Sequence, residues 1–370
     1  MTPTIDQTFA GRSVLVTGHT GFKGSWLSLW LHSMGAKVAG FSDQLPTDPC
    51  AFELCSQAPD FGAGDHRGEI SDLAAVKAAM EKSQPSVVFH LAAQPIVRAG
   101  FSDPYTTFAT NVMGTAAVLE ACRMMPSVEA VVVVTSDKVY DNTGSPWAFR
   151  ETDRLGGHEP YGASKAAAEI VAMTYQSAGF HGAAGSLSTP RIATARAGNV
   201  IGGGDWAADR LIPDFVRAIA EGRDQKIRQP RATRPWQHVL EPIGGYLLLA
   251  HALLSSPETT PEAINFGPIE ATMPDVEEVA TLFLDAAGAT KTKLIVDEDK
   301  NAGEAKTLRV DSSLAGQILG WTPSWTAREA IARTADWYRA HLDGSNDLRE
   351  LSLAQLADYR RATPVAALKG

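Results

Sequence analysis

The sequence has 370 residues, few cysteines, no surplus of basic residues and no long apolar run. Its three cysteines are an odd number in no ligand spacing, which excludes a disulfide framework and predicts no metal site. With 33 basic and 42 acidic residues, the formal net charge is −9, and this argues against a nucleic-acid partner because phosphate backbones need basic surfaces. No apolar stretch could span a membrane and no signal-peptide pattern opens the chain, so we expect a cytoplasmic protein without membrane contact.

The chain does contain a strand, a glycine-rich turn and a helix pattern near its N-terminus. Residues 13–17 have the apolar character of a strand, and an apolar helical pattern runs through Met34 after the turn. In a dinucleotide-binding fold such glycines let the backbone approach the pyrophosphate, and the helix N-terminus supplies N–H donors. We therefore predict that the cofactor contacts Gly18, His19, Gly21, Phe22, Lys23 and Gly24.

A carboxylate follows the second predicted strand, residues 37–41. Asp43 lies about twenty residues after the glycine turn, where an acidic side chain accepts from a ribose 2′-hydroxyl. A carboxylate at this point would repel a 2′-phosphate, so the sequence favours NAD over NADP. The alternative is a solvated aspartate in a turn-rich loop.

Further alternation of strand and helix patterns extends this unit into an α/β fold. We predict a doubly wound, parallel Rossmann sheet with a smaller C-terminal α/β lobe for substrate binding. The expected boundaries are residues 10–197 for the NAD-binding domain, with 236–265 returning to it, 198–345 for the lobe and 346–370 for a C-terminal tail. Gly114, inside a helix pattern, predicts close packing there because a helical glycine costs roughly 1 kcal/mol.

Chemically reactive side chains follow the apolar run at residues 131–134. This run is typical of a strand buried on both faces. Ser136, Asp137 and Lys138 come directly after it, and open α/β sheets place their reacting groups at the carboxyl ends of strands. The position thus makes these three side chains candidates for the active site.

A tyrosine and a lysine stand four residues apart at the start of a helix pattern expected over residues 163–178. Their spacing puts Tyr161 and Lys165 on one helix face. The ammonium group is expected to lower the pKa of the phenol, so that the tyrosine takes a proton from a hydroxyl near neutral pH. The alternative is a chance pair in an ordinary helix.

A second cluster of charge lies in the C-terminal half. Arg228, Arg231 and Arg234 fall within seven residues of an acidic chain. Guanidinium groups bind phosphate oxygens in pairs, so the cluster predicts an anion site. The alternative is a solvated basic loop.

Together these motifs resemble the extended short-chain dehydrogenase/reductase superfamily, on the basis of Gly18-x-x-Gly21-x-x-Gly24, His90-x-Ala-Ala93, Asn111-x-x-Gly-Thr115 and Tyr161-x-x-x-Lys165. Within it, Thr135-Ser-Asp-Lys138 resembles the nucleotide-sugar 4,6-dehydratases, whereas 4-epimerases carry small or neutral residues after the serine. Four stretches resemble the branch acting on CDP-glucose, namely Gly18-His-Thr-Gly-Phe-Lys-Gly-Ser-Trp26, Ser136-Asp-Lys-Val-Tyr140, Gly202-Gly-Gly-Asp-Trp206 and Arg234-Pro-Trp-Gln-His238. The likeness covers about residues 10–340. Glu69, where the family often has aspartate, and a longer loop at 182–190 depart from the pattern.

The resemblance implies a reaction that borrows a hydride. Tyr161 would remove the proton of the sugar 4-hydroxyl as hydride passes from C4 to NAD, with Ser136 hydrogen-bonded to that oxygen and Lys165 beside the tyrosine. Asp137 would protonate the departing 6-hydroxyl and Lys138, with a neutral amine, would take the C5 proton. Hydride would then return to C6.

The resemblance also implies binding residues and partners. Further cofactor contacts would come from Glu69, Ile70, Leu91, Ala92 and Ala93, and substrate contacts from Gln94, Arg98, Ser136, Asn199, Arg228 and Arg234. The partners would be a nucleotide sugar, with CDP-glucose first, and copies of the chain in a homodimer or homotetramer. Alternatives are a dTDP-, GDP- or UDP-linked substrate, a 4-epimerase, or a non-catalytic NAD-binding regulator.

Overall fold

A computed structural model describes residues 4–145, 147–177, 189–269, 273–296, 308–345 and 347–369. Its strands are β1 (Ser13–Thr17), β2 (Lys37–Ser42), β3 (Asp65–Arg67), β4 (Val87–His90), β5 (Ala130–Val134), β6 (Arg191–Ala197), β7 (Val200–Ile201), β8 (Gln225–Ile227), β9 (Gln237–His238), β10 (Ala263–Phe266) and β11 (Leu294–Val296). Most of the loop expected at 182–190, and the last residue of the helix expected over 163–178, lie outside the described residues.

The described helices alternate with these strands. They are α1 (Ile5–Phe9), α2 (Phe22–Ser33), α3 (Ala51–Leu54), α4 (Ala58–Phe61), α5 (Leu73–Ser83), α6 (Val97–Ser102), α7 (Pro104–Phe108), α8 (Gly114–Arg123), α9 (Pro160–Gln176), α10 (Leu211–Glu221), α11 (Leu240–Ser255), α12 (Val276–Ala286), α13 (Ser313–Leu319), α14 (Ala327–Leu342) and α15 (Leu348–Ala362). None of them is long and apolar enough to cross a membrane.

The centre of the molecule is a parallel sheet of seven strands in the order β10-β6-β5-β4-β1-β2-β3. Every residue of β5 is buried, which explains its unbroken apolar sequence, and apolar clusters cover both faces of the sheet. The predicted doubly wound Rossmann fold is confirmed. Because all these strands run the same way, their carboxyl ends open on one edge, where such sheets bind ligands.

Segments from the C-terminal half return to this sheet. Strand β10 pairs with β6, and α11 packs on β5 and β6. Two small parallel pairs, β7 with β9 and β8 with β11, lie outside the main sheet. The close packing expected at Gly114 is also present, since a Cβ there would lie 2.7 Å from Cγ2 of Ile70.

Helix α15 was not predicted from the sequence. It occupies part of the segment expected as a tail, and its Tyr359 is buried with the hydroxyl donating to Glu241 of α11 at 3.1 Å. Ser352 and Gln355 are also buried on this helix. The apolar pattern is weak because polar side chains fill much of the buried face, which explains why the periodicity gave no clear signal.

Candidate active site

A cavity of about 570 Å³ opens at the carboxyl edge of the sheet. It is lined by the residues that follow four neighbouring strands, namely Gly18 after β1, Leu91 after β4, Thr135 after β5 and Gly198 after β6. The cavity therefore spans the glycine turn and the reactive side chains predicted after β5.

The glycine turn leaves no space for side chains. Gly18 has φ of +74°, and a Cβ on it would lie 2.8 Å from the amide nitrogen of Ala92. A Cβ on Gly24 would lie 2.0 Å from the carbonyl oxygen of Gly18. Glycine at these positions therefore allows β1, the loop after β4 and the start of α2 to lie close together.

Replacing Gly24 with alanine should therefore damage this turn. We expect the variant to lose about 1–3 kcal/mol of stability, the usual cost of overpacking, and to bind NAD more weakly. Gly316→Ala on α13 is a matched control, because its nearest contact would be an ordinary 3.5 Å away and the residue does not line the cavity. Thermal unfolding and NAD titration of both variants would measure the effect, and equal behaviour of the two would contradict this account of the turn.

The residues around the turn fit a dinucleotide. Helix α2 has twelve residues and begins at Phe22 after Gly21, which provides no side-chain cap, and Phe22, Lys23 and Gly24 all line the cavity. An uncapped helix N-terminus suits a pyrophosphate. The other predicted cofactor contacts also line the cavity, namely Asp43, Glu69, Ile70, Leu91, Ala92 and Ala93.

His19, predicted as a cofactor contact, lies beneath the glycine turn and outside the cavity wall. Its ring is fully buried beneath the turn, 3.0 Å from an Asp65 carboxylate oxygen and 2.9 Å from the Ser42 hydroxyl, and it is not part of the cavity wall. Burial lowers the pKa of this histidine to about 4 despite Asp65. A neutral ring that ties β1 to β2 and β3 supports the turn.

Four predicted catalytic side chains are buried together at the end of β5. The exposed fractions are 5% for Ser136, 2% for Asp137, 9% for Tyr161 and 6% for Lys165. The Ser136 hydroxyl donates to Oδ1 of Asp137 at 3.1 Å and accepts from the backbone amide of Lys138 at 3.2 Å. Lys138, in the 3₁₀ turn Asp137–Val139, is half-buried and lines the same cavity.

The pKa values of these side chains are shifted mainly by burial, which the sequence did not predict. Burial raises the pKa of Tyr161 to about 12, although the nearby Ser136 hydroxyl acts in the opposite direction. The prediction that Lys165 lowers the pKa of Tyr161 is wrong for the protein alone. The Lys165 amine instead donates to the carbonyl oxygen of Val134 at 3.1 Å, and burial lowers the pKa of Lys165 to about 8. Burial also raises the pKa of Asp137.

Lys23 brings another amine to this cluster. It is 3.4 Å from the Tyr246 hydroxyl, and burial, with the charges of Arg210 and Lys165, lowers its pKa to about 7. Asp137 acts in the opposite direction on it. The side chain thus links the glycine turn electrostatically to the reactive groups.

A buried ion pair between β6 and α9 lies next to the cluster of reactive side chains. Arg196 of β6 and Glu169 of α9 are joined by two hydrogen bonds, one of 3.0 Å and one of 2.8 Å. Glu169 also accepts from the Thr135 and Thr194 hydroxyls. The pair fixes α9 against the ends of β5 and β6. Sequence reasoning missed it, although Glu169 follows Lys165 at helical spacing.

The predicted substrate residues separate into two groups. Arg234 is buried in the cavity wall and Asn199 also lines it. Arg98 and Arg228 lie at the cavity as well, where both approach Asp209, at 2.8 Å and 3.6 Å. These four residues therefore line the same cavity.

Two other residues considered for the substrate side, Gln94 and Arg231, lie outside the cavity wall. Gln94 does not line the cavity, because its amide donates to Thr107 at 2.8 Å and its carbonyl accepts from the Ile96 amide at 2.5 Å. Arg231 points elsewhere and pairs with Asp275 at 3.2 Å. The three arginines therefore do not converge on one anion site.

Many cavity residues were not predicted, and Arg210, Trp206 and Trp236 are notable among them. Arg210 forms an ion pair with Asp205 at 2.9 Å, and its positive charge acts to lower the pKa of Tyr161. The indole nitrogens of Trp206 and Trp236 are buried without a hydrogen-bond partner among the described residues. Both tryptophans lie in stretches noted in the sequence, but nothing in a linear pattern says which side chain faces a cavity. Within the described ranges, no cluster of metal-ligating side chains is present.

Comparison with known proteins places this geometry in a family. A family model described as GDP-mannose 4,6 dehydratase matches residues 15–334. CDP-glucose 4,6-dehydratase of Salmonella typhimurium is 41% identical over 360 residues, which cover 97% of this chain and 99% of that protein. A dTDP-glucose 4,6-dehydratase of Xanthomonas campestris pv. campestris is 27% identical and covers 91% and 98%.

Solved structures share the fold over nearly the whole chain. MoeE5 in complex with UDP-glucose and NAD has a TM-score of 0.71 and 26% identity, covering 89% of this chain and 99% of that one. DesIV, a dTDP-glucose 4,6-dehydratase from Streptomyces venezuelae with NAD bound, has a TM-score of 0.73 and 22% identity, covering 90% and 99%. The chain belongs to the GDP-mannose 4,6 dehydratase family of extended short-chain dehydrogenases/reductases, in which CDP-glucose 4,6-dehydratase is its relative at 41% identity.

Proposed function

We propose that this protein catalyses the NAD-dependent dehydration of CDP-D-glucose to CDP-4-dehydro-6-deoxy-D-glucose. The observation that carries the proposal is the convergence of Tyr161, Ser136 and the Asp137–Lys138 pair on a cavity whose other wall fits a dinucleotide. The family and the 41% identity to a CDP-glucose 4,6-dehydratase support the substrate.

The first half of the reaction makes a ketone at C4. NAD, when bound, accepts the C4 hydride and later gives it back at C6. Tyr161 takes the proton of the 4-hydroxyl, and Ser136 hydrogen-bonds the same oxygen. A hydrogen bond from the Lys165 amine to the carbonyl oxygen of Val134 fixes the position of the lysine beside the tyrosine. The positive charge of Arg210 opposes the burial that raises the tyrosine pKa, and oxidised NAD, if held beside the phenol, would act in the same direction.

The second half removes water across C5 and C6. The C4 carbonyl acidifies the C5 proton, which Lys138 takes as base and later returns to C5. Asp137 protonates the departing 6-hydroxyl. This role needs a protonated carboxyl group, and burial raises the pKa of Asp137 in that direction. Its Oδ2 is buried with no hydrogen-bond partner among the described residues.

The nucleotide diphosphate is assigned to the second lobe. Arg234 and Asn199 would hold the phosphates, with Arg98 and Arg228 at the same cavity. In this scheme, residues 10–197 with 236–265 bind NAD, residues 198–345 form mainly the nucleotide-sugar lobe, and 346–370 are the C-terminal tail. We place the reaction in the cytoplasm, where free, buried thiols such as Cys50, Cys55 and Cys122 are the rule.

A substrate panel tests the proposal. The enzyme is incubated with NAD and CDP-, dTDP-, GDP- or UDP-glucose, and product masses are recorded. We expect loss of one water from CDP-glucose at the highest kcat/KM. Preference for another nucleotide would identify the enzyme as a related dehydratase, and an altered sugar of unchanged mass would identify it as a 4-epimerase.

We also propose a homodimer or homotetramer in which copies pair through α9 and the neighbouring helices. Large apolar side chains on these helices are exposed, including Ile170 at 57%, Met173 at 54%, Met113 at 59% and Tyr105 at 84%. Exposed apolar patches of this kind mark protein interfaces.

Charged substitutions at this patch should break the oligomer. Ile170→Glu with Met173→Glu would bury two carboxylates in the proposed interface, so we expect monomers by light scattering. Leu73→Glu, at an exposed leucine of α5, is the control and should leave the oligomer intact. An unchanged mass for the double variant would place the interface elsewhere.

A further inference from the structure

Two arginines from different parts of the chain share one carboxylate oxygen at the cavity. Arg98 belongs to α6, in the segment assigned to NAD binding, whereas Arg228 directly follows β8, in the segment assigned to the nucleotide sugar. Nη1 of Arg98 lies 2.8 Å from Oδ1 of Asp209, and Nη2 of Arg228 lies 3.6 Å from the same oxygen. All three residues line the cavity. Asp209 therefore connects the two segments at the proposed substrate site.

The backbone of Asp209 has a conformation that few side chains tolerate. Its φ is +60°, in the left-handed region, where aspartate and asparagine are the usual exceptions to a preference for glycine. The other non-glycine residues with positive φ in the described ranges are Ser56 and Gln84, and neither lines this cavity. Strained backbone that the surrounding structure maintains is concentrated at functional sites. This observation distinguishes Asp209 from other exposed acidic residues of the chain.

The same two arginines are assigned to the substrate in the proposed function, on which this inference rests. Carboxylate and phosphate oxygens are charged acceptors of the same kind for a guanidinium group. Since both arginines approach one oxygen, a single phosphate group in that place would meet both of them. The side chains are 57% exposed for Arg98, 42% for Arg228 and 34% for Asp209, and exposed ion pairs are weak. A diphosphate can therefore replace the carboxylate.

We propose that Asp209 competes with the diphosphate of the nucleotide sugar for Arg98 and Arg228. When the diphosphate binds, its oxygens take the place of Oδ1, and the ion pairs of Asp209 are broken. Breaking these pairs lowers the affinity for every ligand that carries the diphosphate, and the product carries it as the substrate does. Asp209 therefore determines how readily the nucleotide-linked product leaves the enzyme, without contact to the sugar that reacts.

Calorimetric titration of the NAD-loaded enzyme with CDP tests the competition without turnover. Asp209→Asn removes the charge, keeps the size and tolerates the left-handed backbone. We expect this variant to bind CDP about 3–10-fold more tightly than wild type, a range that matches the weakness of exposed ion pairs. Cytidine lacks the phosphates, so its affinity should not change. Asp209→Gly also accepts the backbone conformation and should show the same gain for CDP.

A double-mutant cycle connects the gain to the two arginines. In a chain that already carries Arg98→Gln and Arg228→Gln, Asp209→Asn should no longer tighten CDP binding. Asp358 on α15 is the matched control, since it also forms ion pairs with two arginines and lies outside the cavity wall. Asp358→Asn should leave the affinity for CDP unchanged.

The competition is overturned if Asp209→Asn and Asp209→Gly leave CDP binding unchanged or weaken it, or if cytidine binding tightens by the same factor. A gain of the same size in the chain without Arg98 and Arg228 also overturns it. A wild-type enzyme that binds none of CDP, dTDP, GDP and UDP would instead refute the proposed function, so the two failures are distinguishable.

Discussion

Replacing Tyr161 with phenylalanine should lower kcat about 10³-fold, the typical contribution of a positioned general base. The substitution removes the group that takes the 4-hydroxyl proton but keeps the buried ring. Without that base the alkoxide cannot form as hydride leaves C4, so reduced nicotinamide should not accumulate when CDP-glucose is added. Steady-state product formation and single-turnover nicotinamide absorbance both measure the effect.

A second tyrosine of α9 provides the control. Tyr175 donates to Glu120 at 3.2 Å on the far part of the helix and does not line the cavity. Tyr175→Phe should keep wild-type activity. If Tyr161→Phe also turned over within a few-fold of wild type, another group would have to be the base, and the role given to the phenol would be wrong.

Replacing Lys138 with methionine should separate the two halves of the reaction. The methionine side chain has similar length but cannot take the C5 proton, so we expect water loss to slow by about 10²–10⁴-fold. Oxidation at C4 does not use this amine. Addition of CDP-glucose should therefore reduce the bound nicotinamide at a near wild-type rate, and the reduced form should persist because no C6 acceptor is produced.

The control for this variant is an exposed lysine far from the cavity. Lys77→Met on α5 removes an exposed charge and its surface ion pair with Glu81, and should change neither step. Product formation by Lys138→Met at the wild-type rate would exclude the lysine as the C5 base. Loss of both oxidation and elimination would show that Lys138 acts earlier than proposed.

The parts of the fold that the sequence predicts are those fixed by local pattern. The apolar run of β5 forms a strand because every residue is buried, and Gly18 and Gly24 mark the turn because a Cβ would overlap the backbone at both positions. The i, i+4 spacing of Tyr161 and Lys165 likewise follows from helix geometry alone. Such features need no knowledge of distant contacts.

The remaining features depend on tertiary contacts. Gln94 and His19 lie in motifs predicted to contact ligands, whereas in the structure their side chains are hydrogen-bonded to Thr107 and Asp65. The pKa of Tyr161 is set first by burial, which a helix spacing does not reveal. A residue type and a position can thus be predicted, whereas the direction of a side chain and its dielectric surroundings come from the packed structure.

The central claim is that a hydride borrowed from C4 makes the loss of water feasible and then returns to C6. Turnover of CDP-glucose carrying deuterium at C4, in ordinary water, tests this most directly. The account predicts a product one water lighter that retains the deuterium, now at C6. Deuterium released to solvent, or retained at C4 in a product of unchanged mass, would contradict it.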